Sequence, residues 1–123
     1  MTAIEIYQGT NRPIAVLRPE ADSIGSAQDV LDLMMQVHYE TGCRAMVIPA
    51  DAFAPAFFYL KSRLAGDILQ KTVNDNVQLA IWGDHARYPS KALAAFITES
   101  NRGRVVFFAA DEAQAIRCLE EKA

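Results

Sequence analysis

Apolar residues along the chain follow two rhythms, a short continuous one and a helical one, and the two alternate. Ile4-Glu5-Ile6-Tyr7 and Ile14-Ala15-Val16-Leu17 are β-prone runs separated by Gln8-Gly9-Thr10-Asn11-Arg12-Pro13, a turn-rich stretch of hairpin length, so an antiparallel pair is expected. Ser26 and Asp29 then form a Ser-x-x-Asp box, whose hydroxyl and carboxylate satisfy free backbone N–H groups at a helix start. Ala27, Val30, Leu31, Met34 and Val37 share one face of that helix, which runs to about Thr41, and Gly42 supplies a left-handed stop.

Arg44-Ala45-Met46-Val47-Ile48-Pro49 is a short continuous apolar run, the pattern of a strand covered on both faces. From Pro55, suited to a helical first turn, the apolar residues Phe58, Leu60, Leu64, Ile68, Leu69 and Val73 recur at near-helical spacing. They predict the longest helix of the chain, ended by Asn74-Asp75-Asn76. Val77 to Trp82 reads as a further buried strand closed by Gly83. Ser90 caps a helix carrying Leu93, Phe96 and Ile97 that stops at Gly103. Val105 to Ala109 is the last strand, and Asp111 with Gln114 opens a C-terminal helix through Ile116 and Leu119. The order is ββαβαβαβα: an α/β fold with a mostly parallel sheet, helices packed on it and an antiparallel N-terminal edge hairpin. No linker or repeat divides it, and residues 1–123 are expected to form one domain.

Composition narrows the partners. With 51% hydrophobic and 22% charged residues the whole chain is expected to fold, and a net charge of −3 argues against nucleic acid or an anionic membrane surface. No basic region followed by an apolar core opens the chain and no run approaches a bilayer span, so a cytoplasmic location is expected. Cys43 and Cys118 are expected to be reduced. His38 and His85 have no ligand-like spacing, so neither a metal nor another cofactor is expected.

Candidate chemistry collects where loops follow the carboxyl ends of parallel strands. That rule selects Ser23, Gly25 and Ser26 before the first helix, Asp51 after the third strand, Asp84, His85, Arg87, Tyr88, Ser90 and Lys91 after the fourth, and Asp111 after the fifth. Ser26, Ser90 and Asp111 are accounted for as helix caps worth about 1 kcal/mol each. Asp84 beside His85 is the arrangement that orients a general base, but adjacent residues on an extended segment point apart, and no Ser or Cys nucleophile is tied to them. Arg87-Tyr88-Pro89-Ser90-Lys91 sets two cations, an aromatic and a hydroxyl at a helix start, a combination suited to an anionic small molecule. Neither a Walker A loop nor Gly-x-Gly-x-x-Gly occurs. Phe53, Phe57, Phe58 and Tyr59 crowd four aromatics into seven positions, more than one helical face turns inward, so core packing is expected for most of them and a partner surface for those left exposed. Arg63, Asp67 and Lys71 are spaced for a salt-bridged solvent face, and Gly66 suggests close approach of another backbone.

Residues 24–34, Phe57-Phe58, Leu64-Ala65-Gly66-Asp67-Ile68-Leu69-Gln70-Lys71, Gly83-Asp84, Tyr88-x-Ser90-Lys91 and Glu99-Ser100-Asn101-Arg102-Gly103 resemble a bacterial family of uncharacterised proteins, domain-of-unknown-function family 4180. The resemblance spans most of the chain and implies a fold without a reaction. It departs at Tyr59-Leu60-Lys61-Ser62-Arg63, where the family implies an acidic residue and a Thr-Gly pair. The element order is also similar to that of STAS domains, which bind partner proteins and sometimes nucleotides. Their phosphorylatable Ser has no counterpart here, because Asp51 is followed by Ala52, Phe53 and Ala54.

Two readings follow. In the first, the chain is a non-enzymatic regulatory or interaction domain and a homodimer, using Phe53, Phe57, Phe58, Tyr59 and the strand-end loops. In the second, it binds or transforms a small anionic ligand in a strand-end pocket drawing on Ser23, Ser26, Arg63, Asp84, His85, Tyr88, Ser90 and Lys91.

Overall fold

The computed structural model describes residues 2–88 and 90–122. Among these, five strands form one sheet in the order β1 (Ile4–Gln8), β2 (Pro13–Leu17), β3 (Ala45–Pro49), β4 (Gln78–Trp82) and β5 (Val106–Ala109). β1 pairs antiparallel with β2, and every later pair is parallel. Four α-helices pack on the sheet: α1 (Ala27–Thr41), α2 (Leu64–Asn74), α3 (Lys91–Arg102) and α4 (Glu112–Glu121). The fold is the mixed α/β arrangement expected from the alternation of apolar rhythms.

Each step from β2 to β5 moves one strand in the same direction, so right-handed crossovers place all the connecting helices on one face. The buried residues divide accordingly. Leu17, Met46, Ile48, Leu79, Ile81 and Phe108 pack with Val30 and Met34 of α1, Ile68 of α2 and Leu93 of α3. On the opposite face Ile14, Val16, Val47, Ala80 and Phe107 pack with Ala115 and Leu119 of α4. All five residues of β3 are buried, as its unbroken apolar run requires.

α4 is held in place by the hairpin loop. Asn11 donates its backbone N–H to Glu120 Oε2 (3.1 Å) and its side-chain amide to the Glu120 carbonyl (2.8 Å), while Arg12 donates to the Leu119 carbonyl (2.8 Å). Arg18 links the strand and helix layers by reaching Glu5 (2.8 Å) and Glu112 (2.9 Å). The last carbonyls of a helix lack intrahelical partners, and the Asn11 amide and Arg12 supply donors to those of Glu120 and Leu119.

The caps form largely where the sequence places them. Ser26 Oγ accepts from the Asp29 N–H, and Asp29 accepts from the Gly25 N–H, one residue further back than a standard box. Gly42 adopts the left-handed conformation at φ 72° that ends α1.

The helix expected from Pro55 is corrected. The chain makes three separate 3₁₀ turns at Ala50–Ala52, Pro55–Phe58 and Leu60–Ser62, and α2 starts only at Leu64, which leaves α1 as the longest helix among the described residues. The break has a local cause: Tyr59 is extended and Arg63 takes the left-handed conformation at φ 66°. A continuous helix would leave some of the aromatics in water. The broken path turns Phe53 (1% exposed), Phe57 (1%) and Phe58 (5%) into the core and leaves Tyr59 outside at 62%. Arg63 therefore lies before α2, and neither Arg63–Asp67 nor Asp67–Lys71 closes as an ion pair among the described residues. Gly66 is likewise corrected: a Cβ there would meet nothing within 4 Å.

Two substitutions follow from this geometry. Gly66→Ala is expected to raise stability by roughly 0.5–1 kcal/mol, since the position is exposed, helical and uncrowded. Arg63→Gly is expected to add a similar roughly 0.5–1 kcal/mol by removing a left-handed non-glycine residue. Both are read as an increase in urea midpoint at unchanged slope.

Candidate functional site

With all the parallel strands wound in one direction, no reversal of strand order opens a crevice in the sheet. The cleft at the carboxyl ends of β3 and β4 is made by loops instead. Pro49, Ala50 and Asp51 form one side, Trp82, Gly83 and Asp84 the other, and Phe58, Arg87 and Tyr88 stand over them, enclosing about 220 Å³. Gly83 at φ 150° is required here, because a Cβ would come within 2.8 Å of the Ala50 methyl.

The aromatic wall is ordered. The Tyr88 ring stacks on Phe58 at 4.4 Å with an interplanar angle of 8°, and the Arg87 guanidinium lies over the Tyr88 ring at 5.2 Å. The Trp82 indole N–H is buried without an acceptor among the described residues. Two carboxylates, Asp51 and Asp84, and one guanidinium, Arg87, are among the lining residues.

His85 sits against the wall rather than in it. Its Nε2 lies 3.1 Å from the Ala109 carbonyl, and its ring meets Phe108 edge-on at 5.2 Å. Burial lowers its pKa below the ordinary 6.5, against the opposing pull of the Ala109 and Ile81 carbonyls and the Asp84 carboxylate. Nε2 donates to the Ala109 carbonyl, and Nδ1 is buried without a hydrogen-bond partner among the described residues. That geometry makes it a strut between the β4–α3 loop and the end of β5.

The structure brings together only part of the residue set selected from sequence. Asp84 and Tyr88 line the cleft with Asp51 and Arg87, while Tyr88 and Ser90 also line an adjoining open groove of about 690 Å³ with Pro55, Tyr59 and Lys61. Ser90 spends its hydroxyl oxygen on the Leu93 N–H as the cap of α3, and Asp111 does the same for Gln114 at α4. Pro89, within the string proposed for an anion, lies outside the described residues. Lys91 and Arg63 are exposed and do not line the cleft. Lys91 is the first residue of α3, and Arg63 is held at the entry to α2. Ser23 and Ser26 belong to the loop before α1, where Ser26 is a cap and Ser23 borders a separate small depression.

Two positions of the cleft and of the sheet edge are not legible in the sequence. Trp82 reads there only as the end of an apolar strand, although its place just before Gly83 puts it at a strand mouth. Asn101 reads as a helix-end residue. In the structure its amide accepts from the Phe108 N–H (2.7 Å) and donates to the Phe108 carbonyl (3.3 Å).

A pH dependence follows from His85. Its folded pKa is depressed, so its contribution is full above the unfolded value of 6.5 and is lost as the pH falls through 6.5 towards the folded pKa. The unfolding midpoint is expected to fall between about pH 7.5 and pH 5, and His85→Gln is expected to flatten that slope. Urea unfolding at a series of pH values measures it.

No helix among the described residues is long and apolar enough to cross a membrane. No curated protein and no solved structure matches the chain. The model of a domain of unknown function, DUF4180, matches residues 9–119, from the hairpin loop to the last turn of α4. The strings at α1, at the start of α2, at the mouth of β4 and at the end of α3 all fall within that span, and the chain belongs to the DUF4180 family.

Proposed function

We propose that this chain is a non-enzymatic binding domain for a small polar molecule carrying an ammonium group, held in the cleft at the ends of β3 and β4. The observation that carries the reading is the composition of the lining: two carboxylates and the indole of Trp82 against a single guanidinium, with the Tyr88 ring already covered by Phe58 and Arg87. Carboxylates and aromatic faces both attract an ammonium group, and each gains strength where water is partly excluded. A purely anionic ligand would meet Asp51 and Asp84 beside Arg87, and of the cations that sequence offered for it only Arg87 lines the cleft, while Arg63 and Lys91 stand elsewhere. At about 220 Å³ the cleft suits a ligand of few heavy atoms. No nucleophile with a paired base lines it, which supports binding over reaction.

The interaction reading keeps one observation in its favour, the exposed Tyr59 on the rim of the apolar groove next to the cleft. Its other supports, Phe53, Phe57 and Phe58, belong to the core.

Trp82 is the chain's single tryptophan, so intrinsic fluorescence reports directly on the cleft. Titration with methylammonium is expected to change the emission saturably, and Asp51→Asn is expected to weaken that response about tenfold, the loss of one charge-assisted contact. A saturable response to acetate alone, abolished by Arg87→Ala, overturns the ammonium assignment. No saturable response to either ion overturns the cleft as a site.

A further inference from the structure

The two edges of the sheet are treated differently. Along β5 the backbone of alternate residues faces β4: the Val105 carbonyl accepts from Leu79 and the Ala109 carbonyl from Gly83. Phe108 therefore presents its N–H and C=O to the free side, and both are taken by the Asn101 side-chain amide, which imitates a neighbouring peptide group. That edge is closed at its centre by α3.

Among the described residues β1 has no such guard. It is flanked only by β2, and among the described residues no other backbone or side chain bonds its main chain. Edge strands are ordinarily protected by a lysine, a proline, a bulge or a covering element. Ile4-Glu5-Ile6-Tyr7-Gln8 contains neither lysine nor proline, and it pairs with β2 residue for residue without a bulge. Ile6 and Tyr7 are 44% and 46% exposed, on opposite faces of the strand. The one charge, Glu5, is directed to Arg18.

We propose that β1 is a self-association edge, on which a second copy of this chain pairs antiparallel about a two-fold axis through Ile6, joining two sheets into one. The register follows from the side chains. Centred on Ile6, the pairing sets Ile6 against the partner's Ile6 on the α1 side of the sheet. On the α4 side it sets Glu5 opposite the partner's Tyr7, whose hydroxyl donates to the carboxylate. Centred on Glu5 it would oppose two carboxylates, and centred on Tyr7 it would lose the isoleucine pair. The homodimer expected from sequence is thereby moved from the aromatic segment, whose phenylalanines are buried, to the N-terminal strand.

Sedimentation of the full chain tests the proposal, with Ile6→Lys as the disrupting variant, placed at a half-exposed position so that the fold is retained. The expected result is a dimer whose mass halves in Ile6→Lys at an unchanged far-ultraviolet circular dichroism spectrum. A second measurement does not depend on that variant folding. In a Cys118→Ser background, Ile6→Cys is expected to form an intermolecular disulfide on mild oxidation, because directly opposed Cβ atoms lie within about 5.5 Å, and Tyr39→Cys on α1 is not. A wild-type protein that stays monomeric at every concentration overturns the proposal. So does a dimer that persists in folded Ile6→Lys, or one cross-linked through Tyr39→Cys and not through Ile6→Cys.

Discussion

The handedness of strand connections governs this molecule. Three right-handed crossovers taken in one direction send α1, α2 and α3 to the same side of the sheet, so the opposite side has only α4 to keep water from Ile14, Val16, Val47, Ala80 and Phe107. One helix of ten residues must seal a face that three share elsewhere. Small side chains at Ala45, Ala80, Ala109 and Ala115 let it lie close, and Asn11, Arg12 and Arg18 tie its two ends to the hairpin. Without the hairpin the last turn of α4 would lose the donors for its final carbonyls. The antiparallel N-terminal pair is thus as much a clamp for the C-terminal helix as an edge of the sheet.

Single winding also decides where a cleft can form. A doubly wound sheet opens a crevice where its helices part to opposite faces, and this sheet has no such point. The cleft arises because the path from β3 to α2 is long and broken, folding Phe58 over the strand ends until it meets Tyr88 from the next loop. The same break buries Phe53 and Phe57 beneath it, with ring centroids 4.6 Å apart. Core completion and cleft formation are two outcomes of one irregular segment, and a regular helix there would have provided neither.

What was legible in the sequence follows the reach of each physical signal. Element order, sheet composition and the caps at Ser26, Ser90 and Asp111 depend on residues within a few positions of one another, and they could be read directly. The stretch after Pro55 could not, because its apolar spacing is near-helical while its conformation is set by tertiary demand for aromatic volume around Phe108. The left-handed Arg63 gives no local warning, since arginine has no preference for that geometry. At the candidate site, the strand-end rule leads to Asp84 and Tyr88, which line the cleft. Arg63 and Lys91 lie outside it, because sequence distances say nothing of how two loops face each other. Asn101 is the clearest case of an unreadable role: its partner, Phe108, lies on the next element, and the side chain acts there as a piece of backbone.

The Asn101 amide has a further consequence for solubility. A sheet with two open sides can add protomers indefinitely and grow into a filament, whereas one with a single adhesive side can only close on a copy of itself. By occupying the Phe108 peptide group, Asn101 acts as a chain terminator for lateral growth, written into the last turn of a helix rather than into the strand it protects.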